Sequence, residues 1–531
     1  MLIFSVKPPF SATDFSAKYR LMSSMCLLLL SASLSGCNDD SDSSTDTPKD
    51  LDNPTIKVDQ NILYTKHKLT FSTDEKSDAA QELHYEWRFL EGDNTIIKRG
   101  DSVSHMFSTP GAHMVELLTT NAKGDKKTQQ EFVNVLNATK YIIPPKAGIR
   151  VATFNAGLDA IRANGQQKPV TAQGLLNEAL SAGDNPQAKK IAEIIQRTNP
   201  DILLLNEIDG NDNAETVNTF NSAYLQVAQN GTLPINYPYI YTPTCNTGIV
   251  SGYDLNNNGK TQDADDAYGF GNYPGQYCMA IFSKYPIDTQ NIHTFQNFLW
   301  KDMPNALQPL NTDGSSWYQE KAWQNFRLSS KNHVDVPILV DNQVLHILAA
   351  HPTPPVFDSE EDRNGRRNFD EIRLWTDYIN SASSYLYDDS GNKNVMLSSA
   401  TRFIILGDYN ASATEGDATT VNKVTAINQL LKSKHINSLL SEDTPENMIP
   451  SSQGGKQNAP NNKNARYHTA NWKMRADYVL PSAYGFDINQ TGVFWPNYSD
   501  SLYYLVNTTD SSDFESSDHR LVWTDVSMVI K

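Results

Sequence analysis

Residues 403–410 read FIILGDYN, and this stretch decides the fold of the larger part of the chain. Its short apolar run, closed by Gly407, predicts a buried β-strand rather than a helix. Asp408 and Asn410 follow at the strand end, two residues apart, where extended backbone would point both side chains to the same side. An acid and an amide placed there can hold a water molecule or a phosphate oxygen. The alternative is a turn in which the two side chains bond their own backbone.

Other predicted strands also end in polar residues. The alternating stretch 149–158, IRVATFNAGL, ends near Asn155. A helix starting near Pro186 and stopped by Pro200 comes next, followed by an apolar strand that runs into Glu207. Strand, helix and strand in this order predict an α/β arrangement. Later predicted strands also end at polar residues or are interrupted by them. These polar residues are His351, Asp477, Asp518 and His519.

Taken in order, these motifs resemble the endonuclease/exonuclease/phosphatase superfamily. They are FNAGL, LNEID, AIFSKYP, HPTPP, GDYN, ADYVLPS and SSDHR. The resemblance covers residues 148–531 and implies an α/β fold, the DNase I-like four-layer α/β sandwich. Two departures leave the number of metal ions open. Asn206 stands where the family usually has Gln, and Gly157 stands where some members carry an acid.

The resemblance also implies a metal site and an activated water. Glu207 would bind Mg²⁺ or Mn²⁺, with Asn155 nearby and Asp518 contributing, because hard cations prefer carboxylate and amide oxygens. Asp408 would accept the proton of the attacking water. Asn410 would orient that water or a phosphate oxygen.

Two histidines complete the implied catalytic group. Asp477 would hold His519 through one ring nitrogen and favour its charged form. Charged His519 and His351 would then stabilise the negative charge that develops on the phosphate. The implied reaction is hydrolysis of a phosphate monoester or diester.

The segment DRNGRRNFDEIRLW, residues 362–375, follows the His351 strand and carries three arginines near its start. We expect Asn368 to cap a helix, with Arg363, Arg366 and Arg367 just before it. Arginines in that place would clamp a phosphate. The alternative is a solvated turn in which they pair with the neighbouring acids.

The N-terminal region has the layout of a signal peptide. Lys18 and Arg20 precede a short apolar run that ends in Leu-Ser-Gly-Cys at Cys37, which resembles a bacterial lipobox. This predicts a lipoprotein signal peptide over residues 1–36, lipidation of Cys37 and a disordered acidic tether over 37–53. The alternative is an ordinary secretory signal with a chance cysteine. We expect a lipid anchor in the cell envelope, with the outer membrane favoured, or an extracellular location.

Residues 54–136 predict a small β-sandwich. The stretch LHYEWRF alternates between apolar and polar residues, and turn signals recur at the spacing of short strands. The aromatic run and the turns that follow it resemble a PKD-type immunoglobulin-like domain. Residues 137–147 form the linker to the domain at 148–531. We expect the sandwich to be a spacer or a contact module without catalysis.

An Asn/Asp/Gly-rich insertion occupies residues 254–265 and has the ligand spacing of an EF-hand-like calcium loop. Its candidate Ca²⁺ ligands are Asp254, Asn256, Asn258, Lys260 and Asp265. The alternative is a plain surface loop. Cys245 and Cys278 bracket the loop and are the expected disulfide outside the cytoplasm, since Cys26 would be lost with the signal. Two free thiols are the alternative.

Composition narrows the substrate. The chain has 531 residues, 39% hydrophobic content and a net charge of −17, so more than one domain is expected and broad binding to polyanions is disfavoured. The leading prediction is a monomeric, lipid-anchored phosphoesterase acting on small-molecule or lipid phosphate esters. An extracellular nuclease and a non-catalytic binding lipoprotein are the alternatives.

Overall fold

The computed structural model describes residues 53–59, 63–65, 69–74, 82–138, 141–163, 173–441, 444, 446–507 and 516–529. All of these residues belong to one compact unit, Leu51–Lys531. The predicted signal peptide, Cys37 and the tether up to residue 52 lie outside the described residues. None of the described helices is both long and apolar enough to cross a membrane.

The N-terminal region forms an immunoglobulin-like β-sandwich of two sheets. Its strands are β1 Lys57–Val58, β2 Leu63–Tyr64, β3 Leu69–Ser72, β4 Leu83–Glu91, β5 Asn94–Arg99, β6 Ser102–His105, β7 Gly111–Asn121 and β8 Lys126–Leu136. The sheets have the orders β1-β3-β6 and β2-β8-β7-β4-β5. Alternate residues of β4 point inward, and the core includes the fully buried Phe71, Trp87 and Phe89.

The larger region is built on two further sheets and a short two-stranded ribbon. The six-stranded sheet has the order β11-β12-β10-β9-β21-β20, the five-stranded sheet β13-β14-β15-β16-β19, and the ribbon pairs β17 with β18. The strands are β9 Ile149–Leu158, β10 Ile202–Ile208, β11 Tyr239–Tyr241, β12 Cys278–Ser283, β13 His293–Thr294, β14 His333–Val340, β15 Gln343–Ala350, β16 Phe403–Asp408, β17 Thr420–Val421, β18 Val424–Thr425, β19 Asp477–Pro481, β20 Phe486–Val493 and β21 Val522–Met528.

The described residues of this region also form α-helices. They are α1 Ala160–Ala163, α2 Leu175–Leu180, α3 Pro186–Thr198, α4 Glu215–Phe220, α5 Glu320–Asn325, α6 Arg363–Ile379, α7 Asn428–Leu431, α8 Ser438–Ser441 and α9 Gln453–Asn458. Helix α3 packs on the six-stranded sheet, and α6 packs on the five-stranded sheet through Ile372 and Trp375. Between the sheets, residues such as Phe154 and Leu406 share one core. The predicted four-layer α/β sandwich is therefore confirmed.

Local signals placed some elements well. Helix α3 starts at Pro186 as predicted, and the Asn185 side chain caps it by accepting the amide of Ala188. Helix α6, however, begins at Arg363 rather than after Asn368, so the three arginines lie inside its first turns. The predicted disulfide between Cys245 and Cys278 is present.

Candidate active site

The topology brings the predicted polar residues to one edge of the sandwich. In the six-stranded sheet, β9 and β10 are parallel, with Asn155 opposite Asn206. In the other sheet, β16 and β19 are antiparallel, with Asp408 opposite Asp477. Strand β21 is antiparallel to β9, so the residues that precede it reach the same edge. There the Ser517 hydroxyl donates to the carbonyl of Asn155 at 2.6 Å.

One oxygen of Asp408 lies at the centre of the cluster. The Asn155 amide nitrogen is 3.0 Å from Asp408 Oδ2 and 3.0 Å from Glu207 Oε1. The Nε2 atoms of His351 and His519 lie 3.4 Å and 3.5 Å from the same Asp408 oxygen. Four of these side chains are almost fully buried, and Glu207 is 19% exposed. The cluster is therefore largely shielded from solvent, and Glu207 is its most accessible carboxylate.

The second oxygen of Asp408 serves the backbone. Asp408 Oδ1 accepts the main-chain amide of Asn410 at 2.9 Å. Asn410 has a φ of 50°, and its side chain donates to the carbonyl of Pro352 at 3.2 Å. The extended geometry expected from residue 408 to residue 410 therefore does not persist, because the strand ends at Asp408 and the chain turns. Asp408 Oδ1 thus makes the backbone contact of the predicted turn, while Oδ2 faces nitrogen atoms of Asn155, His351 and His519.

His519 and Asp477 form a buried ion pair. His519 Nδ1 lies 2.9 Å from Asp477 Oδ2, which also accepts the Thr469 hydroxyl at 2.7 Å. Burial alone would lower the pKa of His519, but Asp477 and Asp408 outweigh it and raise that pKa to about 10. Burial raises the pKa of Asp477 to about 6. The raised pKa favours the imidazolium form of His519 at neutral pH, and the contact with Asp477 is the one that the family resemblance implied.

His351 differs from the sequence-based expectation of a charged ring. Its side chain is fully enclosed, and burial and the neighbouring charge of Lys331 lower its pKa. A histidine with a lowered pKa is neutral at pH 7, so it has one N–H donor and one acceptor nitrogen. Its Nδ1 atom is buried and has no hydrogen-bond partner among the described residues.

The donor set fits a divalent cation. Ligand atoms of Glu207, His351 and Asp408 lie within 4.8 Å of one another, and the same holds for Asp408, Asp477 and His519. Glu207 has a φ of 55° and lies at a bulge of β10. Asn155 directs its amide nitrogen to the two carboxylates, and its oxygen accepts the amide of Gly157 at 3.1 Å. Asn155 would direct its oxygen to a cation between these carboxylates only with the amide reversed.

Sequence reasoning missed two cations of this site. Arg162 lies 3.5 Å from Asp518 Oδ1 and 3.9 Å from Glu207 Oε2. Lys331 is 7% exposed, and its ammonium group has no hydrogen bond or ion pair within the described residues. Burial lowers the pKa of Lys331, while the charges of Glu371, Glu207 and Asp408 oppose this effect. No motif pointed to Lys331, since strand β14, which follows it, was not predicted.

A second layer of acids lies behind Glu207. Asp159 and Asp209 are almost fully buried, and each keeps one carboxylate oxygen without a hydrogen-bond partner in the described part of the chain. Burial raises the pKa of Asp209 to about 8. Tyr277, which was not predicted as a site residue, lies near the same acids. Burial raises the pKa of its hydroxyl, and the negative charges of Asp159 and Glu207 raise it further.

The three predicted clamp arginines make structural contacts instead. Arg367 is 6% exposed and donates to the carbonyls of Tyr268, Arg327 and Leu328. Arg366 donates to the carbonyls of Glu361 and Gln308, and Arg363 pairs with Glu361. None of these contacts reaches the cluster around Asp408. The predicted phosphate clamp is therefore absent from these contacts. Because α6 starts earlier than predicted, the three arginines lie inside the helix and contact neighbouring loops.

Residues 254–265 form a loop closed by its own hydrogen bonds. Asp254 accepts the amides of Asn258 and Gly259 at 3.1 and 2.8 Å, and Asn258 accepts that of Lys260 at 2.8 Å. Asp265 is exposed, whereas Asp266 is buried and accepts the amide of Leu255 at 2.9 Å. Asp266, one residue after the predicted ligand Asp265, therefore bonds back to the start of the loop.

Two family comparisons cover most of the chain. The model of the Endonuclease/Exonuclease/phosphatase family matches residues 152–519, and that of the PKD domain matches residues 51–135. No curated protein matches the chain.

Similar solved structures have low identity. A β-toxin from Staphylococcus aureus is 15% identical over 71% of this chain and 99% of its own, with a TM-score of 0.34. The human nocturnin catalytic domain with bound sulfate is 13% identical over 72% and 97%, with a TM-score of 0.35. Sphingomyelinase C from Streptomyces griseocarneus is 14% identical over 72% and 99%, with a TM-score of 0.32.

Proposed function

The chain belongs to the endonuclease/exonuclease/phosphatase family of metal-dependent phosphoric ester hydrolases, and on that premise we propose that it is a lipid-anchored, extracytoplasmic phosphoesterase. Its substrates would be phosphate monoesters or diesters of small molecules or lipids, and its reaction the attack of an activated water. One observation supports this most: Asp408 Oδ2 lies within 3.5 Å of nitrogen atoms of Asn155, His351 and His519, opposite Glu207.

Mg²⁺ or Mn²⁺ is the proposed cofactor, held by Glu207 and Asp408, with Asn155 joining if its amide reverses and Asp518 at the margin. When bound, the ion neutralises phosphate charge and stabilises the leaving oxygen. Both metals favour oxygen ligands, and the two carboxylates that share the Asn155 amide nitrogen provide them.

Asp408 would orient the attacking water and then receive its proton. Burial alone would raise the pKa of Asp408, but His519 and His351 hold that pKa well below its ordinary value. In the resting site it is therefore an anion that accepts a hydrogen bond and holds a proton poorly. An incoming phosphate offsets the charge of His519, and the proton affinity of Asp408 then rises.

His519 would face the phosphate with its Nε2–H. Asp477 fixes the ring by accepting the Nδ1–H, so the charged edge points into the cluster. A preorganised cation of this kind stabilises charge that develops in the transition state. Neutral His351 would add an uncharged donor on the other side of Asp408.

We propose small-molecule or lipid esters as substrates rather than nucleic acid. The net charge of the chain is −17, and this charge repels a long polyanion. We further propose anchoring through lipid on Cys37, a location in the cell envelope with the outer membrane favoured, and a monomeric state. These proposals rest on the Leu-Ser-Gly-Cys motif and the acidic composition.

An extracellular nuclease is the second candidate, since the family includes endonucleases and exonucleases. A binding lipoprotein without activity is the third, and the intact cluster of acids and histidines counts against it. The test is hydrolysis of chromogenic monoesters and diesters, phospholipids and DNA with Mg²⁺, Mn²⁺ or chelator. Metal-dependent cleavage of small or lipid esters is expected. Preferential, salt-sensitive DNA cleavage would favour the nuclease, and no cleavage at all would favour the binding protein.

Structural Ca²⁺ in the loop 254–265 is a separate proposal. It rests on the ligand spacing and on the Asp254 carboxylate, which gathers two loop amides. We expect Ca²⁺ to raise the melting temperature of the wild type and to leave that of the D254A/N256A variant unchanged. Equal shifts in both proteins would refute the site.

A further inference from the structure

Arg162 lies among three carboxylates at the edge of the metal site. Its guanidinium is 3.5 Å from Asp518 Oδ1, 3.9 Å from Glu207 Oε2 and 3.8 Å from Asp159 Oδ2. The side chain is 30% exposed, so it is partly open to a bound ligand. Two of these acids, Glu207 and Asp518, are the residues that the sequence assigned to metal binding.

Gly157 makes room for this arginine. A Cβ atom at position 157 would lie 1.9 Å from Arg162 Nη1, and the φ of Gly157 is 53°, which disfavours other residues. A side chain at residue 157 and the guanidinium in its observed place therefore exclude each other. The space that a side chain at residue 157 would need is therefore filled by the guanidinium of Arg162.

The two carboxylate oxygens of Glu207 have different neighbours. Oε1 accepts the Asn155 amide at 3.0 Å and lies 3.9 Å from His351, on the side of Asp408. Oε2 faces Arg162. A divalent ion on the Oε1 side gains Glu207 and Asp408 as ligands. A second one between Glu207 and Asp518 would meet the guanidinium directly and be repelled.

We propose that Arg162 takes the place of a second divalent ion, so that this site binds one catalytic ion and the guanidinium supplies a fixed positive charge between Glu207 and Asp518. The inference rests on the proposed function and deepens it. Arg162 is here a positioning residue: it neutralises Glu207 and Asp518 and sets how many ions the cluster accepts.

The test is a titration of the full-length protein with Mn²⁺, in which electron paramagnetic resonance counts free and bound ions. Each protein is titrated beside its own E207Q counterpart, and only Mn²⁺ that disappears on this substitution counts as bound at the cluster. This subtraction removes any ion held by the loop 254–265. We expect one such ion in the wild type and in R162K, and two in R162M.

The G157A variant is an independent check, because its Cβ displaces the guanidinium without removing its charge from the chain. Mn²⁺ stoichiometry in G157A should also rise above one, with folding verified by melting temperature. Two cluster ions in the wild type, or an unchanged count of one in both folded R162M and G157A, would overturn the inference. Such results leave the proposed hydrolysis intact, whereas the absence of any Glu207-dependent Mn²⁺ would contradict the proposed function itself.

Discussion

His519 Nδ1 lies 2.9 Å from Asp477 Oδ2, and this pair links the loop before β21 to the start of β19. The two residues are 42 positions apart in sequence, and the strands β21 and β19 that they adjoin or begin belong to different sheets. Burial alone would lower the pKa of His519, but the pairing with Asp477 keeps the ring charged and holds its Nε2 edge toward Asp408. The chemistry proposed here therefore depends on an interaction between the two sheets rather than on one motif.

The pair predicts the alkaline limb of the pH–rate profile. The pKa of His519 is raised to about 10, so the active imidazolium persists at neutral pH and is lost as pH rises through that value. The D477N variant removes the largest charge that favours the cation, and its alkaline limb should move to lower pH. The measurement is kcat/KM against pH for wild type and D477N. An unshifted limb in D477N would show that Asp477 does not control the ring.

Lys331 predicts a charge effect at the substrate. Its buried ammonium has no hydrogen bond or ion pair within the described residues, and it senses Glu207 and Asp408, so a phosphate oxygen would give it a partner. K331M should lower kcat/KM by about 10²-fold, as expected for loss of one preorganised donor. The exposed Lys432 supplies the control K432M, which should retain the wild-type rate. A wild-type rate in folded K331M would remove Lys331 from the site.

Substitutions of Arg367 and Arg366 test whether these arginines have a structural role or bind phosphate. Arg367 donates to three main-chain carbonyls while buried, so R367M should lower the free energy of unfolding by about 3 kcal/mol. R366M, at a less buried position of the same helix, should cost less than about 1 kcal/mol and leave KM unchanged. Denaturant unfolding and steady-state kinetics measure both quantities. A large rise of KM in R366M would restore the clamp.

The disulfide predicts a stability effect without a catalytic one. Cys245 and Cys278 are 33 residues apart, and opening a loop of this length should lower the free energy of unfolding by about 3–4 kcal/mol. The measurement is urea unfolding of wild type against C245A/C278A. A thiol assay under denaturing, non-reducing conditions should find neither cysteine in the wild type. Equal unfolding midpoints would contradict the stabilising role.

The ends of several strands could be predicted from the sequence, because an apolar run stops there at a polar residue that can take part in catalysis. The apolar runs before Asp408 and Glu207 predicted both the strands and the sites. Strand β14 escaped notice because Asp335 and Pro337 interrupt its pattern. Asp335 is tolerated there because His346 and the Tyr378 hydroxyl bond its carboxylate at 2.8 Å. Arg162 could not be inferred from Gly157, because the space that this glycine leaves for the guanidinium appears only in the fold.

The charge state of His351 was not accessible from the sequence. It depends on enclosure and on Lys331, which becomes a neighbour only through the fold. The turn at Asn410 was similarly hidden, because Asp408 serves the backbone with one oxygen and the cluster with the other. Residue identity located the site, whereas protonation and orientation came from tertiary contacts.

The most direct measurement is the Mn²⁺-dependent hydrolysis of a chromogenic phosphodiester by wild type and D408N. Asparagine keeps an oxygen that can accept the Asn410 amide, so the fold should persist, while the charge at the centre of the cluster is lost. We predict saturable metal dependence in the wild type and a fall in kcat of about 10³-fold in D408N. Metal-independent hydrolysis by the wild type, or an undiminished rate in folded D408N, would contradict the account.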